Sequence, residues 1–222
     1  MFYVNKPTVS VILCTYNRAN LLARCLDSVI GQTFQNFELI IVDDGSKDNT
    51  FEVVNPYLER FEHVRYCKHK NRTQGYARNT GIQASFGAYI TFIDSDDAYH
   101  EEHLASRLEY MNAHPDIDLI EGGFATDQDI WVVDYFHRDQ QINLRDCAVG
   151  GTFFGKRHVF FELEGFKNDP DFEDTDFWLR AEKQFKTAKI AAPETYLYTR
   201  AETSNSKRVF QEAGLGHNPS GI

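Results

Sequence analysis

Within its first hundred residues the chain alternates short apolar runs rich in β-branched residues, each ended by a polar stop, with apolar residues at helical spacing. Val9 to Cys14 stops in Thr15-Tyr16-Asn17-Arg18, Phe37 to Val42 in Asp43-Asp44-Gly45-Ser46, and the run from Tyr89 in Asp94-Ser95-Asp96-Asp97. Behind the first stop, Leu21, Leu22, Cys25, Leu26, Val29 and Ile30 recur at helical intervals, with Asn20 as the expected cap and Gly31 as the close. Phe51, Val54, Leu58 and Phe61 mark one face of a second helix, which Pro56 kinks or starts late. Val64 to Cys67 reads as a third strand, and Asn71 to Gly81 as a loop entering a helix that holds Ala77, Ile82 and Ala84. Strands that alternate with helices pair in parallel through right-handed crossovers. The expected fold is therefore α/β, with a doubly wound, mostly parallel central sheet flanked by helices. Ligands of such sheets bind beyond the carboxyl ends of the strands, which gathers the three polar stops into one crevice.

After a helix expected from Glu101 to Asn112 the alternation loosens. Ile117 to Gly122 and Ile130 to Tyr135 read as strands, the second half exposed, and Gly150 to Gly155 as a small-residue loop or strand. Helices are expected around Arg157 to Leu163 and from Glu173 to Lys183, with short strands at Thr187 to Ala191 and Thr195 to Tyr198. This part should form a smaller mixed or antiparallel sheet. No linker composition or internal repeat divides the 222 residues, so one domain is expected, with a first half near 7–100, a second near 101–206, and a loose Gly-, Ser- and Asn-rich tail over 207–222.

The acidic stop after Tyr89 concentrates the chemistry. Residues two apart on a strand share a face about 6.6 Å apart along the backbone, so Asp94 and Asp96 can converge on one cation while Asp97 turns elsewhere. Hard oxygen ligands select magnesium or manganese. An isolated Asp-x-Asp is more often a polar turn, and Ala98 and Tyr99 depart from a calcium-binding EF-hand loop. A formal charge of −10 argues against nucleic-acid binding, which needs a basic surface. Cys14, Cys25, Cys67 and Cys147 show no metal-ligand spacing and read as reduced packing residues. His100, His103 and His114 read as solvated. No apolar run has the length of a membrane span and Met1-Phe2-Tyr3 opens no signal peptide, so a soluble, cytoplasmic chain is expected.

Taken in order, these segments resemble the inverting family 2 glycosyltransferases of the GT-A fold. The resemblance spans roughly residues 7 to 206: the strand and loop from Val9 to Arg18, the strand and turn from Phe37 to Ser46, Gly75, Ala77, Arg78, Asn79 and Gly81, the Asp94 to Asp97 motif, and Glu173-Asp174 before Asp176-Phe177-Trp178-Leu179-Arg180. Each is weak alone; five in order are not. The resemblance implies a nucleoside-diphosphate sugar donor, with Mn2+ or Mg2+ held chiefly by Asp96 and assisted by Asp94 or Asp97. Asp43 would accept a hydrogen bond from a ring N–H such as that of uracil, favouring a UDP-sugar, while Asp44 shapes the turn. Thr15 and Tyr16 would flank the base, Arg78 would face the diphosphate, and Asp94 and Ser95 would sit by the donor within the metal motif. For Arg78 an ion pair with a surface carboxylate is the alternative. Asp174 would be the general base that deprotonates the acceptor hydroxyl; the plainer reading of Glu173, Asp174 and Asp176 is that acids at a helix start satisfy the macrodipole.

The resemblance also implies an acceptor that is a saccharide, a lipid-linked saccharide or a protein, in polysaccharide or glycoconjugate synthesis. Peripheral association with the inner face of a membrane is compatible with these acceptors. Phe153, Phe154, Phe160 and Phe161 offer an acceptor platform or a membrane-facing patch, although such spacing is more often core. The Tyr198-Thr199-Arg200-Ala201-Glu202 segment departs from the family's pattern at Glu202, where a histidine is common. Two other functions stay open: a nucleotidyltransferase that makes sugar nucleotides, which the lack of a Gly-rich phosphate loop after the first strand disfavours, and a non-catalytic nucleotide-sugar-binding domain.

Overall fold

The expected order of elements is present: β1 (Val9–Thr15), α1 (Ala19–Ile30), β2 (Phe37–Asp43), α2 (Thr50–Arg60), β3 (Val64–Lys68), α3 (Gln74–Ala84) and β4 (Tyr89–Asp94). The computed structural model describes residues 6–167, 169, 171–199 and 209. Every residue of β1 and β2 is buried, as strands covered on both faces require. β1 pairs in parallel with β2 on one edge and β4 on the other, and β3 continues beyond β2. The chain thus reverses its travel across the sheet between β1 and β4, the switch point at which α/β sheets open a crevice. Register levels the ends there, with Thr15 opposite Asp43 and Cys14 opposite Asp94.

The helices between these strands start differently from expectation in two places. Asn20 lies inside α1 and does not cap it; the Ala19 amide donates instead to Asp48 Oδ2 at 3.0 Å, so a turn distant in sequence supplies the acceptor. α2 runs from Thr50 through Pro56, and Phe51 is half exposed against the Tyr66 ring rather than part of its buried face. α3 is capped by Thr73, whose hydroxyl accepts from the Tyr76 amide at 3.2 Å. A Cβ at Gly81 would lie 2.4 Å from Ile12 Cγ2. Glycine therefore lets α3 press against β1 and carry Arg78 beneath the strand ends.

The second half contains β5 (Ala98–Tyr99), α4 (His103–Ala113), β6 (Leu119–Gly122), β7 (Phe124–Ala125), β8 (Trp131–Val133), β9 (Gln141–Asn143), β10 (Phe154–Lys156), α5 (Arg157–Glu162), α6 (Glu173–Gln184), β11 (Thr187–Ile190) and β12 (Tyr196–Leu197). β10 inserts antiparallel between β4 and β6, and β11 pairs in parallel with β6, giving the order β11-β6-β10-β4-β1-β2-β3. The reversal of β10 follows from the chain before it, which passes along the crevice and enters the sheet from that side. Gly150–Thr152, expected as loop or strand, is a 3-10 turn leading into β10. β5, β12 and β7 form a small mixed sheet, and β8 and β9 a hairpin. The fold expectation thus holds, including the smaller mixed sheet.

One face of the central sheet is packed with aromatic rings, among them Phe92, Phe153, Phe160, Phe166 and Phe177. Phe153, Phe154 and Phe160 are fully buried and Phe161 partly so; they are core residues, because β10 and α5 fold onto the sheet, and neither platform nor membrane patch. His103 is likewise buried, stacked on Tyr99 at 3.9 Å with Nδ1 2.9 Å from Thr195 Oγ1, whereas His100 and His114 are exposed as expected. All four cysteines are free. Among the described residues no helix is long and apolar enough to cross a membrane.

Candidate active site

A cavity of about 860 Å³ opens at the switch point, lined by the end of β1, the acidic turn after β4, the start of α3, the β8–β9 hairpin and the first turns of α6. Thr15, Tyr16, Arg78, Asp94, Ser95, Asp96 and Asp174 all line it, although they come from four separate parts of the sequence. Thr15 is buried, and its Oγ1 has no hydrogen-bond partner among the described residues. A buried hydroxyl left unpaired is costly, so its position on the cavity wall points to a ligand. Tyr16 beside it is exposed.

Asp43 and its neighbour occupy places opposite to those expected. Asp43 is fully buried and lies behind the wall: Oδ1 accepts from the Ser46 amide at 2.7 Å and Oδ2 from the Tyr66 hydroxyl at 2.6 Å, with Lys68 Nζ 3.6 Å away. One oxygen ties the turn and the other ties β3, and Asp43 does not line the cavity. Asp44 reaches the cavity instead, accepting from the Arg72 amide at 2.9 Å and Asn71 Nδ2 at 3.0 Å. Burial raises the Asp44 pKa, opposed by the Arg72 amide and by His69.

The three carboxylates after β4 diverge. Asp94 Oδ1 accepts from Gln74 Nε2 at 2.8 Å and Arg78 Nη2 at 3.1 Å, while Asp96 Oδ2 accepts from Arg18 Nη1 at 3.0 Å. Asp97 turns into the protein, accepting from the Tyr196 hydroxyl at 2.5 Å and the Thr199 amide at 2.6 Å; β4 ends at Asp94, so the turn and not strand alternation sets where Asp96 and Asp97 lie. Burial, then Asp94 and Asp96, push the Asp97 carboxyl well up. Burial and the charge of Asp94 also raise Asp96, against Arg18. Among the described residues no three His, Cys, Asp or Glu side chains form a metal cluster. Asp94, Asp96 and Asp97 all line the cavity, and because Asp97 is held by Tyr196 and Thr199 the candidate donors are Asp94 and Asp96. Two hard carboxylates, one destabilised by the other's charge, fit magnesium or manganese, which take one or two carboxylates and fill their shell with phosphate and water.

Arg78 joins this cluster to α6. It is only 1 % exposed, yet it donates Nη2 to Asp94 and Nη1 to Asp174, with Glu173 Oε1 3.8 Å from Nη1. Its ion pairs are with crevice carboxylates, not surface ones. Asp174 Oδ2 accepts from the Gly150 amide at 2.9 Å, and a Cβ at Gly150 would sit 2.2 Å from Asp174 Oδ1. Glycine is needed there for close approach rather than for its backbone angles. Burial raises the Asp174 pKa while Arg78 lowers it, with a net rise. Burial and the adjacent Asp174 push Glu173 up as well. Asp176, the third acid of this turn, pairs with Arg180 at 2.8 Å along α6, a local structural bond.

Several cavity residues escaped the sequence reading. Arg18 stood at the end of the first polar stop without an assigned role, and Gln74 carried no signal beyond residue type; the buried Gly150 and Tyr196, which bond Asp174 and Asp97, do not themselves line the cavity. Tyr135, Phe136 and Phe172 line the cavity, and the buried phenylalanines Phe153, Phe154 and Phe160 do not. Tyr198 and Thr199 also line the cavity, while Arg200, Glu202 and the tail after them lie outside the described residues, apart from Val209 on the cavity wall.

A model of the family described as Glycosyl transferase family 2 matches residues 10–179. The glycosyltransferase GlyA of Streptococcus pneumoniae is 33 % identical over 129 residues, 58 % of this chain and 18 % of that protein. The fold is similar to that of Staphylococcus aureus TarS 1–349 in complex with UDP-GlcNAc, with TM-score 0.74 and 19 % identity over 94 % of this chain and 66 % of that one. It is also similar to the mannosyltransferase PcManGT from Pyrobaculum calidifontis in complex with GDP-Man and Mn2+, with TM-score 0.73 and 18 % identity over 97 % of this chain and 66 % of that one. The chain spans 15 % to 44 % of the length of the curated relatives it matches.

Proposed function

The chain belongs to glycosyl transferase family 2, and on that premise we propose that it moves a sugar from a nucleoside-diphosphate sugar to an acceptor hydroxyl with inversion at the anomeric carbon. The observation that carries this reading is the Arg78 guanidinium shared between Asp94 of the strand-end motif and Asp174 of α6. It brings a leaving-group site and a base into one cavity.

In the proposed reaction the acceptor oxygen attacks the anomeric carbon, its proton passes to Asp174, and the bond from that carbon to the diphosphate breaks. Inversion needs the base on the face opposite the leaving group. A carboxylate with a raised pKa is a better proton acceptor than an ordinary one, and Arg78 with the Gly150 amide holds it in place. The wall residues suit a donor. Thr15 Oγ1 and the Tyr16 ring are proposed to flank the base, Asp44 rather than Asp43 to accept its N–H, and Ser95 with Asp94 to border the ribose and diphosphate. Asp96 and Asp94 are the proposed holders of Mn2+ or Mg2+, which when bound supplies charge neutralisation for the departing diphosphate. Arg18, on Asp96, and Arg78 add fixed positive charge at the same end.

The complexes of TarS with UDP-GlcNAc and of PcManGT with GDP-Man and Mn2+ support a nucleotide sugar and a divalent metal. We propose a UDP-sugar, since one Asp44 oxygen facing one imide N–H suffices for uracil. A role in building a polysaccharide or glycoconjugate follows from the acceptor classes such a reaction serves. The test is incubation with UDP- and GDP-sugars, with and without manganese, followed by mass spectrometry. Slow release of nucleoside diphosphate that requires Asp174 is the expected result. Nucleotide binding without release from any donor would return the chain to the non-catalytic reading.

A further inference from the structure

Among the described residues three arginines reach the acidic turn that follows β4, and they are not held alike. Arg78 is 1 % exposed and spans Asp94 and Asp174, so the protein sets its place. Arg24 Nη2 donates to the Asp96 carbonyl oxygen at 2.5 Å and to Thr199 Oγ1 at 2.9 Å, and Arg24 does not line the cavity. Arg18 does line it; its side chain is 17 % exposed, and Nη1 donates at 3.0 Å to the Asp96 carboxylate itself. The Arg18 carbonyl accepts from the Leu21 and Leu22 amides at 2.9 and 3.1 Å, so the start of α1 depends on this residue's backbone and not on its guanidinium.

The carboxylate proposed as the chief holder of a divalent cation is thus paired with an arginine that the cavity reaches. Two cations on one carboxylate repel, so a divalent cation arriving alone must displace the guanidinium or share Asp96 with it. A guanidinium that leaves Asp96 needs another anion. Along the turn, Asp94 is already on Arg78, and Asp97 is on the Tyr196 hydroxyl and the Thr199 amide. A diphosphate accepts the same planar fork of donors as a carboxylate, and it would enter the cavity that Arg18 lines.

We propose that Arg18 is an exchangeable counter-ion: its pairing with Asp96 opposes a divalent cation that arrives alone, and its passage to the diphosphate of a nucleotide releases Asp96 for that cation. Arg18 thereby makes cation and nucleotide bind as a unit. The idea rests on the transferase reading only for the identity of the anion, and binding alone tests it. Mn2+ binding is read from the free-ion EPR signal, alone and with saturating UDP or GDP, on the wild-type chain, Arg18→Ala and Arg18→Lys. Arg18→Ala should bind Mn2+ alone about fivefold more tightly, the effect of removing one partly screened charge at this range. Its Mn2+ affinity with nucleotide present should stay near the native value. The coupling between the two ligands then falls about fivefold, and by reciprocity nucleotide affinity, read by calorimetry, falls about fivefold more with Mn2+ than without it. Arg18→Lys keeps the charge and should keep most of the coupling, while uridine, which has no phosphate, should show none in any variant. A residue that only braced the turn would, when removed, weaken Mn2+ with and without nucleotide alike. That result, unaltered Mn2+ affinity in Arg18→Ala, coupling to uridine, or a wild type whose nucleotide binding ignores Mn2+ overturns the proposal. Incubation of the same samples with UDP- and GDP-sugars keeps the two ideas apart. Coupling that depends on Arg18 without any sugar transfer counts against the transferase reading and leaves the exchange standing, whereas transfer with coupling indifferent to Arg18 counts against the exchange alone.

Discussion

On the proposed donor side of the crevice the chemical groups sit at the ends of parallel strands held in register, with Thr15 level with Asp43 and Cys14 with Asp94. On the proposed acceptor side they sit on a 3-10 turn, a hairpin and the first turn of α6. The donor side is thus placed by backbone ladders that buried, β-branched strands make rigid. The proposed acceptor side is placed by single side-chain bonds: Asp134 to the hairpin amides and the Gly150 amide to Asp174. Arg78 is the tie between them, reaching Asp94 on one side and Asp174 on the other. A substitution on the acceptor side should therefore act on turnover, and one on the donor side on nucleotide affinity.

The largest expected effect tests that division at Asp174. Asp174→Asn should lower kcat by roughly a thousandfold, within the usual range for a general base, with nucleotide affinity little altered in a calorimetric titration. A variant that transfers at the native rate would sink the assignment. On the proposed assignment the same group should set the acidic limb of the wild-type rate. Only ionised Asp174 accepts a proton, and its pKa is raised, so kcat should climb with pH through a midpoint above the ordinary carboxylate range, read from a steady-state pH profile. A midpoint at or below that range would show that burial does not govern this carboxyl.

Gly150→Ala comes next. The added methyl would meet Asp174 Oδ1 at 2.2 Å, so the base must move, and a displacement of that order costs about a hundredfold in rate. Nucleotide KM should stay near its native value; if it rises as steeply as kcat falls, the two sides are not separable and the comparison fails. Thr15→Val probes the other wall. Its hydroxyl has no partner among the described residues, so folding loses nothing and thermal stability should hold or improve. UDP affinity should fall about fivefold, the loss of one hydrogen bond. Unchanged affinity would remove Thr15 from the donor site. The smallest effect belongs to Thr73→Ala, which removes the cap of α3. It should cost about 1 kcal/mol of stability, seen as a small drop in Tm with both kinetic parameters retained near their native values.

The two sides also differ in how far the residues could be read without coordinates. Strand ends on the donor side announced themselves, since an apolar run that stops in Asp94-Ser95-Asp96-Asp97 can be placed by periodicity alone. Even there the side chains needed the structure: Asp43 and Asp44 are adjacent, and nothing in their order says which one the Ser46 amide and Tyr66 hydroxyl will occupy. Cap assignment failed at Asn20 for a similar reason, because Asp48, from the turn before α2, reached Ala19 first. Among the aromatic residues, Phe153 and Phe160 gave no sign of differing from Phe136 until β10 entered the sheet and buried the first two.

By itself the sequence determined the parallel α/β sheet, the crevice at its strand ends and the family of the chain, because these depend on short-range periodicity and on motifs in fixed order. Only the tertiary structure decided that Arg78 joins Asp94 to Asp174, that Gly150 makes room for the latter, and that Phe136 rather than Phe153 faces the cavity. Residues 78, 94, 150 and 174 lie on separate segments, and their contacts are set by how α3, β4, the 3-10 turn and α6 pack together. No local preference of the chain encodes that arrangement.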